Sequence, residues 1–577
     1  MYRTIKGGGA YEIFKEILPK RRSRFAILFL SILTAIFAIV IPQIISILFN
    51  PEMIESVIGN RQLIFSIVAL LVAIQAIQGL SSYLISKIGI KAMESIQSKI
   101  YRKVINLPFP VISDMNSGDL SSRVTNDTGV VTQLVTVILP SILSNSIIIV
   151  GSLVFLISIS LPLTLLVASF IPLLMILRFP INRKIEALNY RIKTQVGKIS
   201  GYIIQRIRNI KEIKTLGTED QEVRYGNSLL NKLFVNMRKI IKIEILINTL
   251  TSILILVYIC LLFYLTYSGY YYSNISLDSL ILYFLYLFTV MSHIIELLEK
   301  LSKYSECKGA LNRLEELMRV EEEDKRLDRN PIDNCCPLRL ENVSFSYDGN
   351  TPVLTNVSME FPEKTFTAII GDSGIGKSTI FNLLLGFYNT YDGRISFCGN
   401  ELRDCSLEDI RDKMFIISQD KEWLEATVKD NLLYGIDRNI SFKEIEEVLE
   451  KVALDDFIEK LDVYMNETGS NFSEGQKQRL SIARCLLSHK PIILFDEPIS
   501  HLDVQSGEII MQLIKELSQE KCVIVISHNI NSVAQADNIY VMTAKGQALD
   551  SGRREDLIGT SETYKDIYGK YNFLPET

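Results

Sequence analysis

The run Gly371-Asp372-Ser373-Gly374-Ile375-Gly376-Lys377-Ser378-Thr379 sets three glycines, a lysine and neighbouring hydroxyls within nine residues. An apolar stretch, Phe366 to Ile370, precedes it and reads as a buried strand; Ser378 to Leu385 follows and reads as a helix. In that setting the glycines let backbone N–H groups close around a polyphosphate at a helix N-terminus. Lys377 is expected to reach the β- and γ-phosphates, and the Ser378 hydroxyl to complete the shell of a Mg²⁺ ion. A second strand-like stretch, Pro491 to Phe495, ends in Asp496-Glu497. Carboxylates at the end of a buried strand lie where α/β sheets bind ligands. Asp496 is expected to hold Mg²⁺, and Glu497 to polarise or deprotonate the water that attacks the γ-phosphate. Between the two motifs stands Phe472-Ser473-Glu474-Gly475-Gln476, with Ser473 and Gly475 at a helix start, a second natural anion site.

These groups need a scaffold, and the chain supplies one of two kinds. From Pro337 onward short β-rich runs alternate with helical patterns, which predicts an α/β domain with parallel strands. The first 300 or so residues are different. The chain has 577 residues, 48% of them hydrophobic, and long apolar runs crowd into this half. Six runs approach the ~20 residues that a helix needs to cross a bilayer: Phe25–Phe49, Leu63–Ile85, Thr136–Ser160, Leu161–Leu177, Ile245–Ser268 and Ser279–Glu299. Lys15, Lys20, Arg21, Arg22 and Arg24 precede the first run, and Lys87–Arg123 and Arg178–Lys242 are basic. The alternate connections hold only Arg61, and none in Tyr270–Leu277, so both termini are expected in the cytoplasm. The first apolar run is too long for a cleavable signal, and the segment before it too short for a folded domain. The expected organisation is an N-terminal segment 1–24, a transmembrane domain 25–306 with cytoplasmic connections near 86–135 and 178–244, a charged linker 307–336, and a nucleotide-binding domain 337–577. The net charge of −4 leaves no nucleic-acid footprint. Of eight cysteines, seven are expected on the cytoplasmic side, where thiols stay reduced, and Cys335-Cys336 lacks zinc-type spacing.

Taken together, the motifs resemble those of the ATP-binding cassette (ABC) transporters of exporter architecture, over nearly the whole chain. The resemblance implies a six-helix, all-α transmembrane domain fused to an α/β P-loop ATPase, with ATP and Mg²⁺ as cofactors. Tyr347 matches the aromatic residue that stacks on adenine. Gln419 matches the glutamine that touches Mg²⁺ and senses the membrane domain. Ser500-His501-Leu502-Asp503 matches the loop that crosses the dimer interface, and His528 the histidine at the γ-phosphate. Glu467-Thr468-Gly469 resembles the loop that reports to the partner. The family's Leu-Ser-Gly-Gly-Gln signature is here Phe472-Ser473-Glu474-Gly475-Gln476, and Glu474 is expected to point outward. In the family each ATP lies between the phosphate loop of one cassette and the signature, here Ser473, Gly475 and Gln476, of another. One cassette per chain therefore implies a dimer. Leu107-Pro108-Phe109 with Gly118–Asp127, and Glu212–Gly217, resemble the family's coupling segments.

Cargo is less legible. The last span carries Tyr283, Tyr286, His293 and Glu296, the last two sharing a helix face at i,i+3. They line a cavity for cationic or polar cargo, or they are interhelical packing. The resemblance implies ATP-driven export of a peptide or amphipathic drug by a homodimer, and the Ile-, Lys- and Asn-rich composition points to a bacterial inner membrane. Other readings are half of a heterodimeric exporter, a lipid flippase, and, of a different class, an ATP-gated channel or regulatory membrane protein.

Overall fold

The computed structural model describes residues 21–47, 61–115, 117–267, 277–324, 337–419, 423–466, 471–500, 502, 504–528, 533–543 and 546–565. The chain divides into two compact units. One joins Met1–Ile105 to Met115–Glu321, and the other joins Asn106–Asp114 to Glu322–Thr577.

The first unit is helical. Helix α1 spans Arg21–Ile47 and α2 spans Arg61–Ile105; the short α3, Phe109–Asp114, belongs to the second unit. Helical chain then runs from Ser117 to α4, Leu139–Ile159, through two π-helical turns at Arg123–Asp127 and Leu134–Ile138. Helices α5 (Leu161–Arg208), α6 (Ile210–Leu216), α7 (Glu219–Tyr267) and α8 (Leu277–Arg319) complete the unit. Six helices among the described residues are long and apolar enough to cross a membrane. Away from their ends, helices bond their backbone groups internally, which is what a lipid environment demands.

Close packing fixes this bundle at small residues. A Cβ on Gly151 would stand 2.5 Å from the Cδ1 of Ile39, so the glycine lets α4 approach α1. The Tyr286 hydroxyl donates to the Ile39 carbonyl at 2.9 Å, which ties α8 to the same point. Leu156, Phe170, Leu174, Leu262, Tyr283 and Val290 form the buried centre around it. Thr132, between the π turns, and Thr136, within the second, donate to the carbonyls of Thr128 and Thr132 at 2.8 and 2.9 Å. Such back-bonding bends a helix, and π turns widen it.

The second unit begins with an antiparallel sheet. Strands β1 (Leu338–Phe345), β2 (Leu354–Phe361), β4 (Asp392–Phe397) and β5 (Asn400–Glu401) are ordered β2-β1-β4-β5. The catalytic sheet has the order β12-β11-β3-β10-β9-β6, with β3 Phe366–Ile370, β6 Met414–Ile417, β9 Ile492–Asp496, β10 Cys522–Ser527, β11 Asn538–Met542 and β12 Ala548–Gly552. A small hairpin pairs β7 (Ala426–Thr427) with β8 (Tyr464–Met465). The helices are α9 (Lys377–Leu384), α10 (Leu407–Lys413), α11 (Val428–Leu433), α12 (Phe442–Lys451), α13 (Glu474–Ser488), α14 (Val504–Leu517) and α15 (Arg554–Thr560). Every residue of β3 is buried, as a parallel strand covered on both faces requires. Phe109 of α3 stacks on Phe387 at 4.5 Å. Arg411 pairs with both oxygens of Glu323 at 2.7 Å, and the Glu323 amide donates to the Asn106 carbonyl at 2.8 Å.

Within the helical unit, Arg313 of α8 grips both oxygens of Asp127, at 2.8 and 2.6 Å, across the first π turn. The carboxylate is buried, while the guanidinium is half exposed. Removing one member of a buried pair is costly, and exposure of the other lowers that cost. Asp127→Ala is expected to lose about 1–2 kcal/mol of stability, read as a lower melting temperature of the detergent-solubilised protein. An unchanged melting temperature would show that the pair contributes nothing.

Candidate active site

The register of the catalytic sheet brings the chemical groups to one edge. Ile526 of β10 pairs with Asp496 of β9, and Ser527 with Ile370 of β3. The phosphate loop after Ile370, Asp496-Glu497 and His528 therefore emerge at the same level. Ile417 of β6 pairs with Phe495, so Gln419, exposed two residues further on, leaves the sheet beside them.

Backbone conformation explains the glycines of the loop. Gly371, Gly374 and Gly376 take φ of 153°, 81° and 99°. A Cβ on Gly371 would lie 2.8 Å from the Met542 carbonyl oxygen and 2.3 Å from Ile375 Cδ1. Asp372, Ser373 and Ile375 fill the turns between, and Ile375 is buried in the apolar layer beneath the loop. Lys377 opens α9, with its ammonium donating to the carbonyls of Gly371 and Asp372 at 2.9 and 2.7 Å. Burial lowers its pKa, and the carboxylates Glu497, Asp496 and Asp372 oppose that shift. Thr379 Oγ1 lies 2.9 Å from the hydroxyl of Tyr347. The Tyr347 ring is half exposed, and stands edge-on to Phe345 and Tyr388 at 4.9 and 5.2 Å.

Two acids follow β9 with different partners. Burial raises the pKa of Asp496, a hydrogen bond with Ser378 lowers it, and neighbouring Glu497 raises it further. Two hydroxyl and carboxylate oxygens meeting in this way form a hard donor set that fits Mg²⁺. Glu497 has φ 50°, and its carboxylate lies 2.9 Å from Nδ1 of His528. The amide of Glu497 donates to the Ile526 carbonyl at 2.9 Å, and Ser500 donates to the Glu497 carbonyl. A left-handed conformation at a non-glycine residue costs energy, and here three neighbouring bonds hold it. The acid is thereby aimed at the histidine.

Ser473 is the N-cap of α13. It accepts from the Gln476 amide at 3.2 Å, while the Gln476 side chain accepts from the Ser473 amide at 2.9 Å. This reciprocal capping box fixes the start of the helix, and leaves the Ser473 O–H proton available to a further acceptor. Gly475 packs under α14: a Cβ there would stand 3.2 Å from Ser506 Oγ. The sequence pattern did not single out Ser506, Tyr388 or Lys477; only the i,i+3 spacing of Glu474 and Lys477 was legible. His501, Asp503 and Glu467–Gly469 lie outside the described residues.

The four residues expected to line a cargo path all lie on α8 of the helical unit. Tyr283 and Tyr286 are buried in the helix bundle, with Tyr286 stacked on Phe155 at 5.1 Å. His293 Nδ1 lies 2.7 Å from the Thr289 carbonyl, and Glu296 lies 3.8 Å from Lys300.

The loop conformation makes a direct prediction. Gly371→Ala forces a Cβ against the Met542 carbonyl, so nucleotide affinity should fall at least about tenfold, the equivalent of about 1.4 kcal/mol. Calorimetric titration with ATP measures it; native affinity in the variant would refute the assigned conformation.

Comparison with known proteins agrees with this geometry. Residues 354–500 match the ABC transporter family, and residues 24–294 match the ABC transporter transmembrane region. A "Multidrug resistance ABC transporter ATP-binding and permease protein" of Lactococcus lactis subsp. lactis is 26% identical over 572 residues, covering 97% of this chain and 95% of that protein. An "ATP-dependent lipid A-core flippase" of Aliivibrio fischeri is 26% identical over 510 residues, covering 86% and 87%. The solved structure of a bacterial Atm1-family ABC exporter with ATP bound shares the fold, with a TM-score of 0.79 at 20% identity over 96% of this chain and 99% of that one. With a transmembrane region and an ATP-binding cassette in one polypeptide, the chain belongs to the ABC transporters, membrane proteins that couple ATP hydrolysis to transport.

Proposed function

We propose that two copies of this chain form a homodimeric exporter, which moves an amphipathic small molecule or peptide out of the cytoplasm. The observation that carries the reading is the intact pair Glu497 and His528, 2.9 Å apart at the edge that also holds Lys377, Ser378 and Asp496. A cassette with a complete set of hydrolytic groups needs no second, different chain to supply them. Each ATP lies between the phosphate loop of one cassette and Ser473, Gly475 and Gln476 of its partner, with Asp503 at the interface. Tyr347 stacks on the adenine. Ser378, Asp496 and Gln419 would hold Mg²⁺, which would supply neutralisation of charge on the phosphates.

Glu497 takes a proton from water as its oxygen bonds to the γ-phosphorus. The bond from that phosphorus to the β–γ bridging oxygen breaks, and ADP and phosphate leave. His528 orients Glu497 and contacts the γ-phosphate. ATP binding favours closed cassettes and an outward-facing cavity, and hydrolysis returns the inward-facing state. The distribution of Lys and Arg supports cytoplasmic termini, and the bacterial relatives support an inner membrane. The names of those relatives support amphipathic cargo.

Hydrolysis of ATP by the purified chain in lipid nanodiscs tests this. The native protein should turn over, and Glu497→Gln should lose about 10²–10⁴-fold of the rate while still binding ATP. A folded, ATP-binding native dimer without activity would overturn the self-sufficient homodimer.

A further inference from the structure

The signature carries an acid where the family pattern has glycine, and the structure gives that acid a partner. Glu474 occupies the first turn of α13, with its carboxylate half exposed and 2.7 Å from the ammonium of Lys477 on the same helix. Lys477 is the buried member: only 10% of its side chain is exposed. A buried ammonium is held in place by its surroundings, whereas a half-exposed carboxylate can swing. The cation therefore sets the position of the acid, and not the reverse. In the same turn, on either side of Glu474, the capping box joins Ser473 and Gln476 and fixes the helix start.

We propose that Lys477 is a positioning residue for ATP binding: it draws the Glu474 carboxylate back along α13 and cancels its charge at the signature. This inference rests on the two-cassette reading above, in which the start of α13 receives the γ-phosphate bound to the partner. A free carboxylate there would repel that phosphate; a paired one presents no net charge. The pair thus permits a signature with an acid in it to serve as an anion-receiving surface. Substitutions of the two partners should then act in opposite directions.

The test is the dependence of ATPase rate on ATP in the full-length chain in nanodiscs. Lys477→Met, which keeps the aliphatic stem, should raise KM for ATP about tenfold with kcat changed less than about twofold. Glu474→Gln should leave KM at or below the native value, and Lys477→Met with Glu474→Gln should restore it. Glu474→Asp, an exposed change compatible with a helix start, keeps the charge but shortens its reach to Lys477, and should also raise KM. Native KM in Glu474→Asp overturns the proposal, whether or not Lys477→Met folds. So does a double variant as impaired as Lys477→Met alone, because Lys477 would then act by packing. Ser473→Ala separates the two levels of argument. If it leaves hydrolysis at the native rate, the two-cassette reading falls; if it impairs hydrolysis while the pair variants are silent, only the role of Lys477 falls.

Discussion

Parallel pairing among β3, β10 and β9 is the constraint on which the active site depends. The register joins Ile370 to Ser527 and Ile526 to Asp496, so groups far apart in sequence leave the sheet together. A one-residue slip in any strand would turn its side chains to the opposite face. β3, β9 and β10 are almost wholly apolar and buried, so the register is paid for by the core that they share. The chemistry is polar, but its placement is a consequence of apolar packing.

At that edge the charges are arranged in advance of the nucleotide. Lys377 is desolvated, with two loop carbonyls on its ammonium, so the loop is held in a curled conformation by the cation proposed to meet phosphate. Burial raises the pKa of Asp496, which disfavours its charged form until a cation compensates it. Glu497, in contrast, is turned by its left-handed backbone towards His528. Two adjacent carboxylates thus have different neighbours, Ser378 for Asp496 and His528 for Glu497, as the proposed division into a cation-holding acid and a base requires.

Much of this was legible in the sequence because local rules and the fold agree. The run Phe366–Ile370 is the observed β3. The helix expected at Ser378 starts at Lys377, and the run ending at Phe495 extends by one residue to Asp496. The six apolar runs correspond to six long helices, although α2, α5, α7 and α8 continue well beyond the apolar parts. What escaped was long-range or side-chain-specific. Asp127 and Arg313 are 186 residues apart, and no periodicity announces their pairing. The attachment of Asn106–Asp114 to the cassette unit depends on Phe109 meeting Phe387, again a tertiary contact. The π turns have no sequence signature of their own. Glu474 illustrates a subtler gap: its outward orientation is an expectation of the sequence, and the i,i+3 spacing permits a pair with Lys477, but the spacing alone does not show that the pair forms.

The membrane half argues about cargo through its charges. An ionisable group within a span is a functional candidate because burying it is costly. That reasoning loses force where the cost is already met. Glu296 lies within ion-pair reach of Lys300, Glu299 pairs with Lys303 at 2.8 Å, and the His293 ring meets a carbonyl of its own helix. Tyr286 spends its hydroxyl on Ile39, and its ring on Phe155. Of these groups only Tyr286 joins two helices; Glu296, Glu299 and His293 meet partners on their own helix, so their polarity is met locally.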